Sequence, residues 1–361
     1  MTDLSACMSR VIRRDIQDMH AYAVQPSAGL VKLDSMENPY RLPEALQQAL
    51  GERLGRVAMN RYPAQQAAVL GAALAAHAGA PADCAITLGN GSDELITMLS
   101  MAGDVPGAVV MAPLPGFVMY AMSASLQGIR FVGVPLTVDF ELDEIAMLAA
   151  IEEHRPTLLY LAYPNNPTGN LWDDAVIDRL IEAMGRINGL VVMDEAYQPF
   201  ASRDSMSRLK RYPHVLLMRT MSKFGLAGVR IGYLIGQRAL ISEIDKLRPP
   251  YNISVLNAEA ALFAVEHADE YAAQAAAIRS ERERVFAQLQ DLPGVRPYPS
   301  QANMILTRVP DAAAAFAGIR QRGVLVKNVS AIHPLLANCL RLTIGTPDEN
   351  RQMIEALRAS L

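Results

Sequence analysis

Leu190-Val191-Val192-Met193-Asp194-Glu195-Ala196-Tyr197 is an aliphatic run closed abruptly by two carboxylates and a phenol. Four consecutive apolar residues without polar alternation fit a strand buried on both faces, as strands of a mainly parallel sheet are. The pattern recurs at Ala108–Met111, Leu158–Ala162, Val215–Met218 and Ile231–Ile235, with helical stretches between the runs. Strands alternating with helices predict a doubly wound α/β domain of roughly 200 residues. In open α/β sheets, ligands bind beyond the carboxyl ends of the strands. Asp194 follows one run directly, Asn166 follows Leu158–Tyr163, and Ser222-Lys223 follow Val215–Met218. Three chemical groups far apart in sequence are thereby predicted to meet at one sheet edge.

The chain has 361 residues, 51% hydrophobic and 19% charged, which suits a large buried core in two domains. A net charge of −4 provides no basic face for a nucleic acid. The early basic cluster Arg10, Arg13 and Arg14 is interleaved with Asp15 and Asp18 and reads as a solvated helix face. Three widely spaced cysteines have neither disulfide nor metal-ligand spacing and point to a reducing compartment. The first thirty residues lack the apolar core of a signal peptide, and no apolar run reaches the roughly 20 residues that span a bilayer. A soluble, cytoplasmic protein with no membrane partner is expected.

After the Arg248-Pro249-Pro250-Tyr251 break, a helical stretch over about 257–290 and strands at Asn303–Thr307, Val324–Lys327 and Cys339–Ile344 suggest a smaller α+β domain. The expected division is an N-terminal arm over 1–40 packing on the small domain, a large domain over 41–247, and the small domain over 248–361.

Several side chains stand where chemistry is possible. Lys223 lies between a strand end and the glycines Gly225, Gly228 and Gly232; a lone lysine is most often a solvated charge, but this loop suits a site near phosphate. Asp194 could protonate a ring nitrogen or simply cap the next helix. Tyr197 could reach a ring oxygen or be a core tyrosine. Asn166, pushed to extended geometry by Pro167, could present its amide or belong to a plain turn. Gly91-Ser92-Asp93 open a helical stretch whose free N–H groups suit an anion, joined by Thr220, Ser222 and Arg230. Phe117 could stack on an aromatic ring or fill the core. An amine, a carboxylate, a phenol, an amide and a phosphate-sized donor cluster together are the set that holds pyridoxal phosphate (PLP). The six histidines have no metal-ligand spacing, and there is neither a dinucleotide loop nor a Walker lysine.

With these residues in place, the chain resembles the fold-type I PLP-dependent aminotransferases, and within them the histidinol-phosphate aminotransferases. The resemblance runs from Leu33-Asp34-Ser35-Met36-Glu37-Asn38-Pro39-Tyr40 to Leu340-Arg341-Leu342-Thr343-Ile344-Gly345. It also rests on Asn60-Arg61-Tyr62-Pro63, Asn165-Asn166-Pro167-Thr168-Gly169, Asp194-Glu195-Ala196-Tyr197 and Arg219-Thr220-Met221-Ser222-Lys223. It implies an aspartate-aminotransferase-like large domain and a homodimer. Lys223 would carry the cofactor and shuttle the substrate proton, with Asp194 on the ring nitrogen and Tyr197 and Asn166 on the ring oxygen. Gly91, Ser92, Asp93, Ser222 and Arg230 would hold the phosphate, together with Tyr62 from the partner subunit. Arg341 would clamp the carboxylate of glutamate and the phosphate of histidinol phosphate in turn, with Tyr22 and Lys327 nearby.

There are departures from the family pattern. Lys223 and Arg230 are seven apart where many relatives have one residue more, so the phosphate loop is expected to close differently. Phe117 stands where many carry tyrosine, and Lys327 where many carry arginine, without the guanidinium fork.

The resulting expectation is a ping-pong transamination between glutamate and a phosphorylated acceptor, imidazole acetol phosphate. The rivals are an aromatic-amino-acid aminotransferase and a phosphothreonine-type decarboxylase on the same scaffold. From other classes come a regulator built on the fold and an inactive scaffold. The first would need a basic DNA-binding module that residues 1–30 do not provide. The second sits poorly with the joint presence of Lys223, Asp194, Tyr197 and Arg230.

Overall fold

The computed structural model describes residues 3–19 and 25–361. Its first strand, β1 (Val31–Lys32), lies outside the main sheet. The main sheet uses β2 (Cys84–Gly89), β3 (Val109–Leu114), β4 (Arg130–Pro135), β5 (Leu158–Ala162), β6 (Leu190–Asp194), β7 (Val215–Thr220) and β8 (Gly232–Gln237). Their order is β2-β8-β7-β6-β5-β3-β4. β8 runs antiparallel to β2 and β7, and the other pairings are parallel. The fold is therefore α/β with a mainly parallel central sheet. Every residue of β5 and β7 is buried, as the unbroken aliphatic runs require.

Two local expectations change. β3 continues through Pro113 to Leu114 instead of ending at Met111. Its pairing with β5 ends at Met111↔Leu159, so beyond that point only β4 asks it for N–H donors, and a proline is tolerated. The helical stretch at 257–290 is two helices, Val255–Glu266 and Ala268–Gln290, broken at His267. The first buries Ala258, Ala261 and Ala264 in the same core as Leu70 and Leu74, and Arg53 pairs with both Glu259 and Glu266. This helix packs on helices Gln66–Ala78 and Glu44–Gly55.

A second core gathers around β9 (Arg296–Pro297), β10 (Met304–Arg308), β11 (Val324–Leu325), β12 (Lys327–Asn328) and β13 (Cys339–Thr343). β12-β13-β10-β9 form an antiparallel sheet, while β11 pairs in parallel with β1. The strand expected over Val324–Lys327 is split between two sheets at Val326. Before β1, Arg13 reaches the other way, donating to the carbonyls of Ser125 and Leu126.

The segment Leu33–Glu37 buries Leu33 and Met36 in the second core. Leu33 N–H bonds to Leu325 O, Met36 N–H to Thr343 Oγ1, and the buried Asn303 amide donates to Met36 O at 3.0 Å. Among the described residues, no helix is long and apolar enough to cross a membrane.

Backbones approach closely where β8 meets the loop after β2. A Cβ on Gly232 would stand 2.6 Å from both Gly91 C and Ser92 N. Gly232→Ala is expected to destabilise the protein by about 1–3 kcal/mol, the usual range for overpacking. Chemical denaturation measures this, and an unchanged midpoint would show that the loop moves aside freely.

Candidate active site

At the carboxyl ends of the parallel strands lies a cavity of about 340 Å³. Asp194 ends β6 and is buried. Tyr120 donates to its Oδ2 at 2.6 Å, and the Ala196 N–H donates to Oδ1 at 3.0 Å. Burial raises Asp194 to about 6, against the pull of these two donors. Its neighbour Glu195 faces the other side of the sheet, as strand alternation dictates, and pairs there with buried Arg219 at 2.8 Å.

Lys223 lies just beyond β7 in a wide turn, Ser222–Leu226, kinked at Gly225, φ +141°. Half-buried, its ammonium donates to Ser35 O at 2.9 Å and stands 5.9 Å from the Tyr197 ring centre. Burial and the Arg341 charge bring its amine down to about 8. Burial pushes the Tyr197 phenol up, so it stays a donor.

The anion end is a helix start without a side-chain cap, as are those at Glu44, Gln66, Met119, Arg238 and Ala268. The helices starting at Glu144, Asp174, Val255, Ala312 and Pro347 have their first N–H groups capped by Asp, Ser or Thr side chains. Helix Ser92–Ala102 starts at Gly91, φ +79°, with no side-chain cap. Arg230, itself at φ +55°, occupies the space that a Gly91 side chain would need. It donates to Ser222 Oγ at 3.2 Å and pairs with Asp93 at 3.5 Å. Thr220 Oγ1 in turn donates to Ser222 Oγ at 3.1 Å. The seven-residue Lys223–Arg230 spacing therefore closes through the wide turn and one left-handed residue.

The paired asparagines divide their work. Asn165 is internal, donating to Pro115 O and Thr168 Oγ1. Asn166 lines the cavity and accepts from Arg341 Nη1 at 2.8 Å, while Arg341 Nη2 donates to Asp34 O at 2.7 Å. Arg341 therefore ties β13, the Leu33–Glu37 segment and the turn after β5 together.

Ser92, Asp93, Phe117, Thr220, Ser222 and Arg230 line the cavity beside Asn166, Asp194, Tyr197 and Lys223. Gly91 adjoins it through Arg230. Lys327 pairs with Arg341 across β12 and β13 but is not in the cavity wall. Tyr62 is 77% exposed, stacked on Tyr251 at 4.6 Å, and is also outside the wall. Tyr22 lies outside the described residues.

Tyr120, Ser35 and Glu37 also line the cavity and were not among the expected site residues. Tyr120 carried a faint signal, since its three-residue spacing from Phe117 puts two aromatics on one face of a helix start. Ser35 acts through its carbonyl, which no side-chain pattern reveals.

Residues 28–357 match the family aminotransferase class I and II. A histidinol-phosphate aminotransferase of Methylibium petroleiphilum is 68% identical over 358 residues, covering 99% of this chain and 96% of that protein. One from Polaromonas naphthalenivorans is 64% identical, covering 98% and 97%. The chain belongs to the histidinol-phosphate aminotransferases. The crystal structure of the Sinorhizobium meliloti histidinol-phosphate aminotransferase in complex with pyridoxal 5′-phosphate is similar, with 26% identity, a TM-score of 0.84 and 97% of each chain covered.

Burial makes the neutral amine of Lys223 available as pH rises through about 8, well below the 10.5 of an ordinary lysine. Acylation of the cofactor-free protein, followed peptide by peptide across pH, is expected to show Lys223 reacting with a midpoint near 8. A midpoint near that of surface lysines would mean that the cavity does not desolvate this amine.

Proposed function

We propose that the protein catalyses PLP-dependent transamination between L-histidinol phosphate and 2-oxoglutarate, giving imidazole acetol phosphate and glutamate in histidine biosynthesis. The observation that carries this reading is one cavity holding a desolvated amine, a buried carboxylate and an uncapped helix start. The near-full-length relatives favour this substrate over the aromatic-amino-acid and phosphothreonine alternatives.

The residues fit PLP in shape and chemistry. The cradle at Gly91 and Gly232 would be filled by any side chain, and the donors around it suit a phosphate. When bound, the cofactor supplies an electron sink for the electrons released at the substrate's α-carbon. Ser92, Asp93, Thr220, Ser222 and Arg230 would hold its phosphate end. Phe117 would lie against the ring, and Asp194 would hold the proton on the ring nitrogen. Tyr197 and the Nδ2 end of Asn166 would donate to the ring oxygen. Lys223 Nζ would move the proton at the substrate's α-carbon, the neutral amine accepting and the ammonium returning it. Arg341 would bind the carboxylate of glutamate and the phosphate of histidinol phosphate in alternate half-reactions, its fork matching either group. Lys327, beside it on the neighbouring strand, would add charge to the phosphate.

The enzyme is read as a cytoplasmic homodimer. Cys7, Cys84 and Cys339 are free, which agrees with a reducing compartment. Tyr62 and Tyr251 present a stacked aromatic pair to the exterior, which suits an isologous contact delivering Tyr62 to the partner's cofactor phosphate.

Transamination is tested by assaying glutamate and 2-oxoglutarate against histidinol phosphate, phenylpyruvate and threonine phosphate. Lys223→Ala is expected to abolish turnover with its fold intact. Arg341→Ala should weaken glutamate and histidinol phosphate together, each by about tenfold to a hundredfold, as losing a charge-assisted hydrogen bond does. Wild-type turnover without Lys223, or preference for another acceptor, would overturn the assignment.

The shared site is tested by mixing Lys223→Ala chains with Tyr62→Phe chains. Hybrids in which one site has both residues intact should turn over faster and retain more cofactor than Tyr62→Phe homodimers. No gain despite verified subunit exchange would show that Tyr62 does not serve the partner.

A further inference from the structure

We propose that Tyr120 is a positioning residue for this reaction, its hydroxyl setting the plane and the basicity of the Asp194 carboxylate that receives the cofactor's ring nitrogen. The inference rests on the transamination reading above and extends it to a residue outside the expected set.

The geometry leaves Tyr120 little freedom. It sits in the first turn of helix Met119–Gln127 and is buried. Its ring stacks on Tyr160 of β5 at 4.3 Å and 8°, and Phe117 meets it edge-on at 5.6 Å. Held on both sides, the ring aims its hydroxyl at Asp194 Oδ2 at 2.6 Å, the length of an O–H···O⁻ bond to an ionised acceptor. A phenol has one proton to donate, and here it goes to the carboxylate. With the Ala196 N–H on Oδ1, both carboxylate oxygens are fixed while each keeps a lone pair for a further donor. Phe117 also lines the cavity where a ring would stack, so one aromatic train links the ring-stacking wall to the ring-nitrogen acceptor.

The ionisable groups facing Asp194 are Asp93 on helix Ser92–Ala102, Tyr120, Tyr160 on β5, and Tyr197 beyond β6. Burial and Asp93 favour the neutral acid, whereas Tyr120 is the strongest group favouring the carboxylate. Tyr120 is itself pushed well above its ordinary value by burial and by Asp194, so it acts as a fixed donor and never as a base.

The test reads Asp194 directly in the full-length, cofactor-free protein carrying ¹³C-labelled aspartate, its signal identified by its loss in Asp194→Asn. The wild-type midpoint is expected near 6. Tyr120→Phe keeps the ring and removes the donor, so the midpoint should rise by about one to two pH units. Placing 3,5-difluorotyrosine at position 120 keeps the hydroxyl but makes it a more acidic donor, so the midpoint should fall. If Tyr120→Phe does not fold, the fluorinated protein decides alone. Opposite movement by the two changes is what a merely space-filling tyrosine would not produce. A midpoint unmoved by fluorination, or moved the same way by both changes, overturns the proposal. In the loaded enzyme, Tyr120→Phe should lower kcat about tenfold with KM little changed. Lost turnover with an unmoved Asp194 midpoint would also overturn it. Because the titration needs no substrate, its failure is distinguishable from failure of the transamination reading.

Discussion

A carboxylate buried at the end of a central strand is the constraint around which this molecule is arranged. Asp194 is 4% exposed, and isolated charge in such a place is strongly unfavourable. Two donors, Tyr120 and the Ala196 N–H, offset part of that penalty, yet the acid is still displaced upward to about 6. Under the proposed transamination, a cationic ring nitrogen would supply the remaining partner.

The same logic applies at the other polar positions. Lys223 is desolvated in the cavity wall, with the Ser35 carbonyl as its hydrogen-bond acceptor. Ser35 belongs to a segment hung from the small sheet through Leu33, Met36 and Asn303. Arg341 joins that segment to Asn166 at the large sheet. Its guanidinium thus engages both sides of the cleft.

Much of this was legible in the chain. Uninterrupted aliphatic runs at β5, β6 and β7 announced strands buried on both faces, and their endings named Asn166, Asp194 and Lys223. Misreadings arose where pairing decides the outcome. The run ending at Met111 looked complete, but β3 continues through Pro113, where β5 no longer pairs with it. Val324–Lys327 looked like one strand but serves two sheets. The stretch 257–290 looked like one helix but is two, broken at His267.

Local chemistry written along the chain determined the fold class and the three groups at the strand ends, since burial on both faces and abrupt polar endings are properties of short segments. Tertiary structure alone decided direction and company. It turned Asp194 toward the cavity and Glu195 toward Arg219, made Asn165 internal and Asn166 a partner of Arg341, and brought Tyr120 onto a carboxylate 74 residues away. Those outcomes depend on which surfaces meet across long sequence separations, and no local pattern of residues contains that information.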